Sequence, residues 1–323
     1  MAETLAATPT RARWALPGGR GRRGSTGGIN SVGLGTALVF LAPYLVLFGT
    51  FIVAPVVYGL WISLHDWDFL LPGKPWVGLE NYVELFTSGS VSSGPFWASM
   101  RATGIFIVLS VPFLIILPLF LAIALNRKFP GRNLFRAVVF APYVLGVAVV
   151  GLLWRYLLDP NVGVINHYLG ELGIDAIPFT TDTPWAWFAL VVPTLWWTAG
   201  YNMVIFLAGL QDIPRELYEA ARIDGAGRRN QFRHVTLPGL RPVMVFVITI
   251  TILASANVFG QPYLITQGQP GRETRTAIMQ IGEVGLRQFN MGRASAQSMV
   301  LTLSLMAVSL ICLSFLRERK AKR

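Results

Sequence analysis

Along this chain apolar residues are gathered into long runs instead of alternating with polar ones. Six runs, at about 37–64, 103–125, 137–158, 185–210, 242–265 and 297–316, approach or exceed the roughly 20 residues that cross a hydrocarbon layer as helix. Lipid offers no partner to backbone N–H and C=O groups, so runs of this length predict membrane-spanning helices. The first run, from Thr36 to Leu64, is too long for a secretory leader and no small-residue cleavage site comes after it, so it is expected to be an uncleaved span. Pro43 and Pro55 are expected to mark a bend in it or its ends. Residues 1–31 carry too few apolar side chains to pack and are expected to form a disordered basic tail. The expected fold is therefore all-α: a polytopic membrane protein with six transmembrane helices in residues 32–323, its core at about 97–316.

Composition supports the membrane reading. Of 323 residues 53% are hydrophobic and 13% charged, against about 25% charged in a soluble domain, too few to cover a soluble surface. The net charge of +11 would suggest nucleic acid in a soluble protein, but its placement argues otherwise. Residues 1–31, 126–136, 211–241 and 317–323 hold five, four, six and five Lys or Arg; the alternate connections 65–102, 159–184 and 266–296 hold two, none and four. Twenty against six, alternating with the runs, predicts both termini in the cytoplasm and no nucleic-acid partner. None of the 16 carboxylates lies in a run, so the proton relay of a secondary transporter has no evident residues. Cys312 is the single cysteine, which excludes an internal disulfide.

Several chemistries lack their residues. Gly73-Lys74 is followed by Pro75, so there is no phosphate-cradling loop, and Gly19-x-Gly21-x-x-Gly24 lies in the tail with no strand before it. His65, His167 and His234 fall in three connections on two sides of the membrane, which leaves no metal site. No nucleophile elbow or paired acid and base suggests an enzyme.

The connection Gln211–Arg241 reads as structured. Asp212 is expected to cap a helix of about ten residues with Pro214 in its first turn, and Gly225 and Gly227 are expected to break it. A second short helix from about Arg228 to Val235 should end before span five, with Pro238 as the stop. Ala220 and Ala221 would let a partner approach closely; an amphipathic connector lying on lipid headgroups fits the same residues.

The motif Glu219-Ala220-Ala221-x-x-Asp224-Gly225-Ala226, with Phe232 and Leu237-Pro238 after it, resembles the EAA loop of bacterial ATP-binding-cassette importer permeases. Ile213-Pro214-x-Glu216-Leu217-Tyr218 resembles the carbohydrate subgroup, akin to the first permease subunit of maltose and glycerol-phosphate systems, as does Trp154 to Asn166. The resemblance covers about residues 35–318. It implies a cytoplasmic coupling-helix elbow seated on a separate ATPase subunit. Glu219 would make a polar contact there, Ala220 and Ala221 would pack closely, Gly225 would turn the chain, and Phe232, Leu237 and Pro238 would anchor the elbow to the bundle. It further implies a sugar permease of the bacterial cytoplasmic membrane, itself no enzyme and without a cofactor. Its partners would be a second homologous permease, two ATPase subunits holding ATP and magnesium, and an extracytoplasmic solute-binding protein.

Polar residues inside the runs need a reason. Thr194, Thr198 and Tyr201 share one face of span four, with Asn202 beside it and Trp197 near; Thr251, Ser255 and Asn257 cluster in span five, with Gln261 further out. Neutral hydroxyls, amides and aromatic faces suit a sugar, and the resemblance places spans four and five along the translocation path. The same side chains would serve equally as hydrogen-bonding glue between helices. A phosphorylated solute would call for a basic residue in these two spans, and none is there. Arg155 is expected to reach the interface or pair with Asp159, and Asp66, Trp67, Asp68 and Trp76, with segment 272–293, to face a binding protein.

Overall fold

The structure, a computed structural model of the chain, describes residues 34–317; the basic tail lies outside the described residues. These fall into two compact units that divide after Pro55. In the first, α1 (Leu34–Phe48) runs through Pro43 and widens into a π-helical turn at Gly49–Val53. That wide turn comes where the Pro55 ring would otherwise press on the carbonyl four residues back. Its large side chains, Phe40 and Phe51 among them, are exposed, as suits lipid.

The second unit starts in α2 (Ala54–Ile62) and continues through α3 (Glu80–Phe86), α4 (Ser93–Asn126), α5 (Arg132–Val144), α6 (Val147–Leu157), α7 (Val164–Glu171) and α8 (Trp185–Gln211). The connection after α8 holds α9 (Arg215–Ile223), α10 (Arg228–Gln231), a π turn at Phe232–Thr236 and α11 (Leu237–Gly239). Then come α12 (Arg241–Ala256), a π turn at Pro262–Thr266, α13 (Ala277–Gly282), a π turn at Glu283–Arg287 and α14 (Met291–Arg317). Among the described residues the only β pairing is two isolated bridges, His65 with Trp76 and Asp68 with Asn290.

Four stretches are long and apolar enough to cross a membrane unbroken: Gly35–Ile62, Ser93–Asn126, Trp185–Gln211 and Met291–Ser314. The other two expected spans need correction. The third bends by 95° between α5 and α6, because Leu145 and Gly146 adopt extended backbone just after Pro142. The fifth ends at Ala256, not near 265: Asn257 leaves the helical region, and the chain continues as a loop and a π turn. Hydropathy averaged over a span is blind to both breaks, since each run stays apolar on the whole. Close approach explains the second: a Cβ on Gly260 would lie 2.3 Å from Val147, and one on Gly151 would lie 2.6 Å from Leu264. These glycines let the 260–264 segment lie directly on α6.

The bundle is built around α4 and α8, which pack along each other, with α12 on α4 and α5 on α8. At the α5–α8 crossing the two backbones nearly touch, since a Cβ on Gly200 would fall 2.4 Å from the Val139 carbonyl. Two apolar clusters fill the interior. One, with Phe106, Leu158, Leu190 and Ile265, lies toward α7; the other, with Met203, Phe206, Leu210 and Leu240, lies toward the α9–α11 connection. Between them in sequence, on α4, α8 and α12, fall buried polar residues: Ser110, Asn202, Thr251 and Ser255.

Candidate functional site: the elbow and a layer of polar residues

The connection between α8 and α12 folds as an elbow, with two corrections to its expected details. Asp212 closes α8 as its C-terminal cap and does not start α9, whose N-cap is Pro214. Pro238 does not stop the second arm either. That arm runs as one helical segment, Arg228–Gly239, and bends by 66° into Arg241–Ala256. The π turn at Phe232–Thr236 carries the helix past Pro238, as the first does at Pro55.

The residues of the Glu-Ala-Ala motif end α9 in a defined way. Gly225 sits at φ +77°, its N–H bonds the Arg222 carbonyl at 3.0 Å, and the Ala226 N–H bonds the Ala221 carbonyl at 2.8 Å. This is a Schellman cap, which asks for glycine at the left-handed position and puts residues 221 and 226 side by side. Two alanines there keep the corner thin. The arms are tied by Tyr218 Oη to Thr236 Oγ1 at 3.0 Å and by Gln231 Nε2 to the Ala226 carbonyl at 2.8 Å.

Anchoring is where the placement differs from expectation. Leu237 and Pro238 are exposed and Phe232 is half-buried; Ile213 and Leu240 are buried, and Tyr218 and Val235 pack beside them against the cluster around Leu210. Gly239 admits Ile213, whose Cδ1 would be 2.9 Å from a Cβ there. An aliphatic residue just before the helix thus fixes the elbow, a signal present in Ile213-Pro214 but easily taken for a loop. Facing away from the protein are Leu217, Ala220 and Ile223, with Ile223 86% exposed, while the exposed Glu219 lies at a cavity it shares with Lys128, Arg132 and Arg136.

The polar residues of α8, α12 and the segment just after α12 divide into two groups. Thr194, Asn202, Thr251, Ser255 and Gln261 are buried within this chain. The Thr194 and Thr198 hydroxyls donate to carbonyls one turn back in α8, at 2.7 Å each. Asn202 Nδ2 donates to the Leu114 carbonyl at 2.8 Å and to Thr251 Oγ1 at 3.2 Å, joining α8, α4 and α12. The Leu114 carbonyl is free because its helical donor would be residue 118, a proline. Ser110 and Ser255 approach at 3.5 Å. Asn257 is exposed but turns its amide back to the Leu253 carbonyl at 2.8 Å.

Tyr201 and Trp197 make the second group. Tyr201 is partly exposed and stacks on Tyr143 of α5, ring centroids 4.8 Å apart at 18°, and Trp197 donates to the Leu145 carbonyl at 3.0 Å. Tyr143, outside the set expected from sequence, belongs with them. A tyrosine in the middle of an apolar run was its only sign.

The Trp154–Asn166 motif spans the turn between α6 and α7. Asn166 exchanges two hydrogen bonds with Ile177, at 2.9 and 3.0 Å, and a Cβ on Gly163 would strike the Asp159 carbonyl at 2.3 Å. The Asp159 carboxylate accepts the N–H groups of Val162 and Asn161, which with the nearby Arg155 hold its pKa below the usual carboxylate value. The expected Arg155–Asp159 ion pair is not formed, and Arg155 lines a cavity with residues of the 259–287 segment instead. The segments around Trp67 and Asn290 meet through the Met291 N–H and the Trp67 carbonyl at 2.7 Å.

Residues 86–323 match the family of binding-protein-dependent transport system inner membrane components. The chain belongs to this family. It is therefore a multi-pass membrane protein of a transport system, and the elbow carries that family's EAA motif. It is 33% identical to the trehalose/maltose transport system permease protein of Thermococcus litoralis over 285 residues, 88% of this chain and 94% of the relative. It is 33% identical to the arabinooligosaccharides transport system permease protein of Bacillus subtilis over 279 residues, 85% of this chain and 86% of that one. The sn-glycerol-3-phosphate transport system permease protein of Pectobacterium atrosepticum is 32% identical over 284 residues, 87% and 94% of the two chains. In fold it resembles a chain of a bacterial ABC transporter that imports the acidic polysaccharide alginate, with TM-score 0.76 and 24% identity over 86% of this chain and 94% of that one.

Proposed function

We propose that the chain is one permease subunit of an ATP-driven sugar importer of the plasma membrane, with both termini cytoplasmic. It pairs with a second homologous permease, receives its solute from an external binding protein, and is driven by two ATPase subunits that hold the ATP and magnesium. The carrying observation is the elbow: a helix anchored on its inner face by Tyr218 and Ile213 and presenting Leu217, Ala220 and Ile223 outward. Outward apolar residues on a firmly held helix are what a groove in a partner would cover. Glu219 makes the polar contact beside them. Names of relatives that carry trehalose, maltose and arabinooligosaccharides support a sugar as the solute.

For the path, we assign Tyr201, Trp197 and Tyr143 to the solute, with Thr198 and Asn257 at its margin. Thr194, Asn202, Thr251, Ser255 and Gln261, being buried, hold the helices that present those rings. The docking assignment is tested by Ala220→Trp. Ala220 is exposed, so the bulk leaves this chain's packing intact and blocks only a partner. ATPase subunits should no longer copurify and ATP-dependent sugar uptake should be lost; retention of both with normal uptake would remove the assignment.

A further inference from the structure

A cavity of about 550 Å³ opens between α6, the 259–269 segment, α13 and the π turn at 283–287. Its walls carry Arg155, Arg275 and Arg287 against one carboxylate, Glu283, which pairs with Arg287 at 3.3 Å. Arg155 and Arg275 form no ion pair among the described residues, and Arg275 Nε is buried without a hydrogen-bond partner. Arg275 is thus left over, and Arg155 has only the through-space influence of Asp159, in a cavity of the size that holds a small ligand. A planar fork of N–H donors matches a carboxylate or phosphate.

The rest of the lining is not that of a bare anion site. Phe259 and Tyr263 stack at 4.9 Å and 19° on one wall, offering an aromatic surface, and Gln267 and Gln269 bring amides. Gln267 is held at φ +54°, a region side chains other than glycine rarely adopt, and both π turns of this region contribute lining residues. Strained backbone and π turns concentrate where side chains are aimed at a ligand.

We propose that this cavity is a station for a saccharide that carries a carboxylate or phosphate, held by Arg155 and Arg275 at its anionic group and by Phe259, Tyr263 and the glutamines at its ring. The inference rests on the sugar-importer reading and narrows its substrate to acidic saccharides. It also explains why the polar faces of α8 and α12 lack a cation: the charge is met outside those two helices, on the 155–287 surface.

The test is calorimetric titration of the full chain with its copurifying partners in phosphatidylcholine vesicles, using digalacturonate, maltose and inorganic phosphate. Digalacturonate should bind at least about tenfold more tightly than either of the others, the equivalent of one charge-assisted hydrogen bond. In Arg155→Gln, Arg275→Gln and Arg275→Lys the ratio of digalacturonate to maltose affinity should fall toward one, the lysine variant guarding against a folding defect. Raising salt should lower that ratio too. Equal affinity for the two disaccharides, an unchanged ratio in all three variants, or phosphate binding as tightly as digalacturonate would overturn the proposal. So would loss of digalacturonate binding on including phosphatidylglycerol, which would assign the cavity to a lipid headgroup. Failure of the sugar-importer reading looks different: the wild-type complex would then move no saccharide, charged or neutral, on addition of ATP.

Discussion

At the scale of single residues, the bundle is organised by prolines and by the side chains that answer them. Pro118 leaves the Leu114 carbonyl without a donor inside α4, and Asn202 supplies one from α8. Pro262 stands four residues after Val258, whose carbonyl takes the Thr276 hydroxyl at 2.8 Å. A buried acceptor left unpaired costs about 1–3 kcal/mol. Asn202→Leu should therefore lower stability by about that much in a detergent melting assay. In a Pro118→Ala background, where a backbone N–H is restored, the same change should cost about 1 kcal/mol less. An unchanged cost would mean that Asn202 acts through Thr251 and not through the orphan carbonyl. The aromatic group gives a contrasting prediction. Tyr201→Ala removes a ring that stacks on Tyr143 at the chain's surface, so sugar uptake should fall while ATPase subunits still copurify. Ser255→Ala, buried and beside Ser110, touches no solute in this assignment and should leave solute affinity within about twofold, less than the loss of one hydrogen bond would give. Equal transport by wild type and Tyr201→Ala would move the path elsewhere.

At the scale of elements, the elbow depends on one backbone conformation. Gly225 at φ +77° ends α9, and an L side chain there costs about 1–2 kcal/mol, less for asparagine. Gly225→Asn should transport nearly normally and Gly225→Val poorly. Gly225→Pro, which cannot reach that φ and loses the N–H to Arg222, should abolish uptake while the chain still inserts in the membrane. Full uptake by Gly225→Pro, measured alongside ATPase retention, would end the coupling role given to this corner. Legibility in the sequence divides between local and tertiary causes in the same way. The corner of the elbow was legible because Gly225 answers a local backbone need, whereas the roles expected of Asp212 and Pro238 were not fixed locally. The break after Ala256 was not legible, since it goes with tertiary contact of Val147 with Gly260 and of Leu264 with Gly151, which no local pattern announces. The polar residues of α8 and α12 were found, but burial depends on which helix lies opposite. Thr198 and Tyr201 lie on the same helix face as Thr194, yet Thr194 is buried and Tyr201 is not. Arg155, Arg275 and Arg287 are more than 100 residues apart at their extremes, and nothing local marks them as one wall.

At the scale of the whole molecule, the elbow and cavity assignments both depend on sidedness. Twenty Lys and Arg lie in the tail and the connections 126–136, 211–241 and 317–323, against six in the alternate ones, and translocating a short loop rich in cations is disfavoured. On the proposed topology the elbow faces the ATP side, and the arginine-lined cavity near the end of α6 the opposite one. The chain lends itself to a direct check, because Cys312 is its only cysteine and can be replaced by alanine. Single cysteines at the exposed positions Glu80, Gly170 and Arg272 should react in intact cells with a membrane-impermeant maleimide. Cysteines at Pro130 and Arg228, equally exposed on the protein, should react only after permeabilisation, so a difference in labelling reports the side and not burial. The position that decides is Arg228, at the start of the elbow's second arm. Labelling there from outside would put the Ala220 face out of reach of any cytoplasmic ATPase and the cavity on the wrong side for an incoming solute, removing both assignments at once.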